Sequence, residues 1–291
     1  MLSILFSANL FSQTHIHADP QHLLLSEYHS FKGSLPLQSN FFRPIFYKTD
    51  STSLSVRFMM ETYLNNNAPN QENMDVRYFS KGMSYFNSLQ LSINNPYFLF
   101  MAEPYIKIDK FQSVNAINRN PPFSVLNDKP LSNKLFSNST FRNLLAFIHY
   151  KGFGFGWHMG NRWWGPGIHT SFQMTNNTRG IPAHIIGTMQ EIRIRNLGFY
   201  LLYTFANLNN EKGIEAKYFT SLNGRLTWYG PIFISAGFSR NYLTGGELSP
   251  SGYFWKESDA KKIVFEGFFI SNLIDAEHTI GGTDRWDQTL S

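Results

Sequence analysis

The sequence predicts an all-β fold, an antiparallel transmembrane β-barrel, on three observations: its aromatic and charged content, a recurring two-residue alternation, and the absence of any long apolar run. Aromatic residues make up 16% of the 291 positions and charged residues only 15%. Soluble domains average about 25% charged residues, whereas a barrel in lipid needs aromatic girdles and an uncharged outer face. No stretch approaches the roughly 18 apolar residues that a membrane-crossing helix requires, so any crossing is made by strands.

Residues 1–13, MLSILFSANLFSQ, read as the apolar core and small-residue end of a secretory signal, with cleavage near Ser12 or Gln13. The first lysine is Lys32, so the basic leader of such a signal is missing. Residues 14–291 then form one barrel domain with a small N-terminal, periplasmic plug. Apolar and polar side chains alternate in Leu89-Gln90-Leu91-Ser92-Ile93, in Tyr105-Ile106-Lys107-Ile108-Asp109 and in residues 190–195. An extended backbone sends the two sets to opposite faces. In Phe153-Gly154-Phe155-Gly156-Trp157-His158-Met159-Gly160 the odd positions are large and apolar and the even ones are three glycines and a histidine. The large residues are expected to face lipid, while the glycines clear space inside. Residues 199–205 after a turn at 196–198, and 224–229 with 231–239 joined at Gly230-Pro231, read as hairpins, and 262–270 as a later strand. Polar stretches at 64–73, 112–140, 241–261 and 272–282 read as loops.

Several function classes drop out. With no cysteine, neither a disulfide framework nor a thiolate metal site is available. The nine histidines match no zinc spacing, and His15-x-His17 is polar surface on this reading, so no metal and no cofactor is expected. The net charge of +5 comes from 25 scattered Lys and Arg residues with no dense run, which disfavours nucleic acid. There is no nucleophile elbow, phosphate loop or dinucleotide fingerprint. Glu103 and Asp109 share a strand face, but six residues separate them by about 20 Å, too far for a glycosidase pair. The chain is not expected to be an enzyme.

The segment Gly160-Asn161-Arg162-Trp163-Trp164-Gly165-Pro166-Gly167, followed by Ser171, Asn176-Asn177 and Gly180-Ile181-Pro182, resembles the signature of the capsule assembly Wzi family. Pro104 in MAEPYIKID and the downstream Asp284-Arg285-Trp286-Asp287-Gln288 are similar to it as well. The likeness touches about half the chain. It implies a monomeric barrel in the outer membrane of a Gram-negative cell, with a helical plug on the periplasmic side, that binds capsular or other exported polysaccharide and anchors it to the surface. Two features depart from the family: no helical bundle is evident near the N-terminus, and the chain stops at Ser291, where a further strand is expected to start. A finished barrel ends on a strand with a terminal aromatic, so the expectation is a truncated frame with C-terminal strands missing.

Within the signature, adjacent tryptophans on a strand point to opposite sides, so one of Trp163 and Trp164 is expected in the interface belt and the other inside. An indole face can stack on a pyranose, while Arg162, Asn161 and Asn176 can hydrogen-bond hydroxyls or pair with uronic acids. Arg162, Trp163, Trp164 and Asn176 are therefore the candidate polysaccharide contacts. Gly165, Pro166, Gly167, Ser171, Asn177, Gly180 and Pro182 are the structural members of the motif, with Gly-Pro-Gly as a rigid turn. The competing reading is a porin-like channel for small solutes.

Overall fold

The computed structural model describes residues 15–16, 28, 32, 42–46, 48–66, 74–77, 81–110, 135–165, 171, 174–176, 180–208, 217–245 and 285–290. The signal segment 1–13, the expected strand at 262–270 and the loop at 272–282 lie outside the described residues. Every named element is a strand. Short pieces come first: β1 (His15–Ile16), β2 (Phe42–Arg43) and β3 (Ile45–Phe46). Long strands follow as β4 (Ser53–Asn65), β5 (Gly82–Asn94), β6 (Phe98–Lys110) and β7 (Leu135–Tyr150). Next are β8 (Phe153–Met159), β9 (Trp163–Trp164), β10 (Ala183–Thr188), β11 (Ile192–Ile194) and β12 (Leu197–Asn207). The chain continues through β13 (Lys217–Tyr229), β14 (Phe233–Gly245) and β15 (Arg285–Leu290).

Eleven of these form one antiparallel sheet in the order β15-β14-β13-β12-β10-β8-β7-β6-β5-β4, with β11 paired to β12 off that path. Strands four through eight, then ten, twelve, thirteen and fourteen, are next-neighbour pairs of the kind a meander makes. The fold is all-β and antiparallel, and among the described residues β4 and β15 stand at the two edges and do not pair with each other, so no closed barrel is seen among them. Connections at one end are short, such as residues 95–97, 151–152, 195–196 and 230–232, and those at the other end are long. Three expected loops overlap strands: β4 runs to Asn65, β7 begins at Leu135 and β14 runs to Gly245. Ser137, Asn138, Ser139 and Thr140 are consecutive, a composition that suits the end of a strand as well as a loop.

The faces of the sheet are inverted relative to a soluble one. On β5, Met83, Tyr85, Leu89, Leu91 and Ile93 are exposed, while Ser84, Ser88, Gln90, Ser92 and Asn94 are buried. The same rule holds on β6, where Phe98, Phe100, Ile106 and Ile108 point out and Glu103 and Lys107 point in. It holds on β4 as well, with Leu54, Val56, Phe58, Met60 and Leu64 exposed and Glu61 buried. Phe153 and Phe155 lie on the outer face and His158 on the inner, as the alternation requires. The reason for Gly154 and Gly156 is different from the expected one. A Cβ there would come within 1.9 Å of the Ile148 carbonyl oxygen and 2.1 Å of the Ala146 one, so the glycines serve the close approach of β7.

The inner face is covered by chain segments that dock on it. Phe46 joins Leu99, Met101, Leu145, Phe147 and Ile185 from β6, β7 and β10. Phe42 and Trp164 pack with Ala183, Tyr200, Ala206 and Phe219, and Met74 and Val76 pack beside Met59, Phe86 and Tyr105. Phe42–Arg43, Ile45–Phe46 and Trp163–Trp164 are extended, and 74–77 is a turn closed by the Arg77 amide donating to the Met74 carbonyl at 2.9 Å, whereas the resemblance implied a helical plug.

One irregularity shapes the sheet locally. Glu103 pairs with Asn143 and Pro104 with Phe141, so Arg142 is the extra residue of a β-bulge. Proline lacks the N–H a regular ladder would need at that point, and a bulge re-aims its side chains. Outside, the bulge borders a groove of about 410 Å³ lined by Phe58, Leu89, Pro104, Ile106 and Phe141. Inside, it turns Arg142 toward Glu103. Phe86, fully buried beneath this point and stacked on Tyr105 with ring centroids 5.4 Å apart, is the apolar floor. Phe86→Ala is expected to lower the unfolding free energy by about 3–5 kcal/mol, measured by equilibrium denaturation.

Candidate functional site

The motif picked out in the sequence sits where the sheet has its two shortest central strands. β8 ends at Met159 and β10 begins at Ala183. Between them the chain leaves the sheet and turns onto the inner face, where Trp163–Trp164 pairs antiparallel with Phe42–Arg43. The Trp164 amide donates to the Met174 carbonyl at 3.2 Å, and the Ser171 hydroxyl donates to the Trp164 carbonyl. Trp164 stacks on Phe219, and Phe42 stacks on Tyr200 at 5.3 Å between centroids.

All four candidate contacts are buried: Trp163 and Asn176 completely, Arg162 and Trp164 to within 2%. Neither indole lies in an interface belt, contrary to expectation, because β9 belongs to a two-stranded piece stacked against the sheet and not to the sheet itself. Arg162 spends its guanidinium on backbone, donating to the carbonyls of Ile181 at 2.9 Å, His158 at 3.1 Å and Gly160 at 3.5 Å. It thereby ties the end of β8 to the approach to β10. Burial pushes its guanidinium down to about 10, and the field of Tyr200 opposes the shift, so the side chain stays charged at neutral pH. Its neighbours Arg43, His158, Trp164, Tyr200 and Met189 border a cavity of about 20 Å³, enough for about one water molecule and far below a sugar ring.

Among the structural members of the motif, Gly180 has a clear reason. A Cβ there would meet the backbone of Gly160 at 2.2 Å, so the two ends of the inserted segment pass one another with nothing between. Ser171 holds the turn through its bond to Trp164. Gly165 follows β9 directly, and Pro182 is exposed just before β10. Pro166, Gly167 and Asn177 lie outside the described residues.

A second cluster on the inner face was not anticipated. Arg77 pairs with Glu61 at 3.1 Å, and Arg142 pairs with Asp75 at 2.7 Å and with Glu103 at 3.1 Å. Ser88 and Gln90 also donate to Glu103, at 3.0 and 3.3 Å, as does Asn143. Both guanidiniums lie about 6 Å from the centre of the Phe86 ring, at 6.0 Å for Arg77 and 5.8 Å for Arg142. The available sequence signal was Glu61 on the β4 row that also carries Ser53, Ser55 and Asn65, and Glu103 on the β6 row that also carries Lys107. The two clusters meet, for the Asp75 amide donates to the Asn176 carbonyl at 2.7 Å. Near the short-turn end, a fourth buried carboxylate, Glu191, accepts from Arg225 at 3.1 Å, from Thr227 at 2.6 Å and from Tyr229.

Among the described residues no group of three or more His, Cys, Asp or Glu side chains could hold a metal ion. The arrangement is built for rigid packing of one chain segment inside a sheet. Gly180→Ala is expected to force Gly160 aside and to cost about 1–3 kcal/mol of stability, read by equilibrium denaturation, with faster proteolytic nicking between residues 160 and 182. Comparison of the chain with protein-family models, with curated proteins and with solved structures finds no match.

Proposed function

We propose that this chain spans the outer membrane as a plugged β-barrel that binds an exported, capsule-type polysaccharide and holds it at the cell surface without chemically altering it. The observation that carries the membrane part is the inversion of the sheet: rows such as Leu54, Val56, Phe58 and Met60 lie open while Glu61, Glu103 and Arg142 are buried. In water such a sheet exposes hundreds of Å² of contiguous apolar surface, which soluble monomers rarely do. In hydrocarbon the same surface is covered, and an alternating outward-apolar, inward-polar strand is the pattern of a membrane barrel. Tyr97, Phe98, Tyr150, Phe153 and Trp228 are exposed beside the short turns, where an aromatic girdle at the periplasmic interface belongs.

The polysaccharide part rests on the resemblance of residues 160–182 to the Wzi signature. The docked segments favour a binding barrel over the porin-like alternative, because residues 42–46, 74–77 and 163–164 occupy the face that would line a channel. In this reading Arg162, Trp163, Trp164 and Asn176 fix the shape of the signature segment, and the polymer is held by the surface which that segment presents.

The test uses the full chain expressed with an outer-membrane targeting signal. The protein is expected in the outer-membrane fraction, to co-sediment with a purified uronic-acid-containing capsular polysaccharide, and to give no step conductance in planar bilayers. Trp163→Ala combined with Trp164→Ala, which removes the buried anchors of the signature segment, is expected to lower polysaccharide retention about tenfold, equivalent to about 1.4 kcal/mol of binding. A soluble protein would overturn the membrane reading. Stable single-channel steps without retention would favour the porin.

A further inference from the structure

Segment 74–77 follows β4 in sequence but docks on the inner face opposite β5, β6 and β7, and it is held there by charge. Asp75 is the centre of the arrangement. One of its carboxylate oxygens accepts both the Nε of Arg142, at 3.0 Å, and its Nη2, at 2.7 Å. Arg77 reaches the same oxygen at 3.5 Å, and its amide donates to the other one at 3.1 Å. The side chains of Glu61, Asp75, Arg77, Glu103 and Arg142 are all at least 93% buried. With its carboxylate fixed to the wall, the backbone amide of Asp75 points at the signature segment and donates to the Asn176 carbonyl at 2.7 Å. That bond ties the 74–77 segment to the far side of the 160–182 insertion, whose near side is tied by Arg162 and by the pairing with Phe42–Arg43.

We propose that Arg142 is a positioning residue for the signature segment: from the bulge in β7 it orients Asp75, and Asp75 in turn fixes Asn176. The bulge is what makes this possible, since Arg142 is the extra residue between Phe141 and Asn143 and a bulge re-aims the side chain it carries. Two wall carboxylates and one on the segment share two guanidiniums, so removing Arg142 leaves Asp75 and Glu103 buried with too little positive charge. A buried carboxylate in that condition moves to water or takes a proton, and either outcome lets Asp75 release the Asn176 carbonyl. The role of Arg142 in retention rests on the polysaccharide reading above; its role in holding Asn176 does not.

The chain has no cysteine, so a thiol introduced as Thr175→Cys reports the signature segment alone. In the folded, full-length protein carrying that change, Arg142→Gln is expected to raise the rate of maleimide labelling roughly tenfold, as local opening of the segment would. Asp75→Asn is the second variant, which weakens the charge pair while keeping the backbone amide, and it is expected to act in the same direction. Ser55→Ala, whose hydroxyl is bonded to Ser92 at 2.7 Å across β4 and β5 and not to the 74–77 or signature segment, is expected to leave labelling unchanged. Retention of the uronic-acid-containing capsular polysaccharide is expected to fall in parallel with the rise in labelling. Unchanged labelling in folded Arg142→Gln and Asp75→Asn proteins would overturn the proposal, and raised labelling with retention at the parent level would overturn the role of Arg142 in retention. If the parent protein retains no polysaccharide, it is the functional reading that has failed, and labelling alone then decides the positioning role.

Discussion

Charged side chains shut away from water must find partners, and that constraint organises the ionic groups on the covered face of this sheet. An unpaired buried carboxylate or guanidinium costs several kcal/mol, so such groups occur in pairs or with hydrogen-bond donors around them. Glu61 and Glu103 point from β4 and β6 to the covered side. The guanidiniums that answer them come from different places: Arg77 from the docked 74–77 segment, Arg142 from the bulge in β7. Ser88, Gln90 and Asn143 complete the shell around Glu103. An apolar segment in the position of 74–77 would leave these groups stranded, so the charge of the wall selects the segment that covers it.

The same logic joins the other pieces. Arg162 satisfies three backbone carbonyls at the mouth of the gap left by short β8 and β10, groups that a continuous sheet would have paired with another strand. Phe42–Arg43 supplies the ladder that Trp163–Trp164 would otherwise lack. Arg225 lies within 5.9 Å of the Phe42 ring and 5.8 Å of the Tyr200 ring while pairing with Glu191. The N-terminal segment, the signature segment and the 74–77 segment are thus each held by the wall and by one another.

Much of the sheet was legible in the sequence because a period of two is a local property. The rows at 89–93, 105–109 and 153–159 could be assigned to faces from alternation alone, and the hairpin at Gly230-Pro231 from its turn residues. Strand ends at 135–140 and 241–245 were not legible, since the uninterrupted polar run Ser137-Asn138-Ser139-Thr140 and the stretch before Gly245 carry no alternation that separates a strand from a loop. The motif at 160–182 could be singled out, but its geometry could not. Whether two adjacent tryptophans lie in a sheet or in a small ladder stacked upon it depends on Phe42–Arg43, more than a hundred residues away. The ion-pair cluster was illegible for the same reason: Glu61, Asp75, Glu103 and Arg142 span four segments, and only the fold brings them to one oxygen.

The function proposed for this chain stands or falls with what touches the open apolar rows. Single thiols at Leu91 and Phe155, on the outer face, and at Ser92, on the inner, can each carry an environment-sensitive fluorophore after reconstitution in phospholipid vesicles. The account requires that quenchers fixed to lipid acyl chains extinguish the probes at Leu91 and Phe155, and that aqueous iodide does not reach them, with the probe at Ser92 insensitive to the lipid quencher. Efficient iodide quenching at Leu91 and Phe155, with no effect of the lipid quencher, would contradict it.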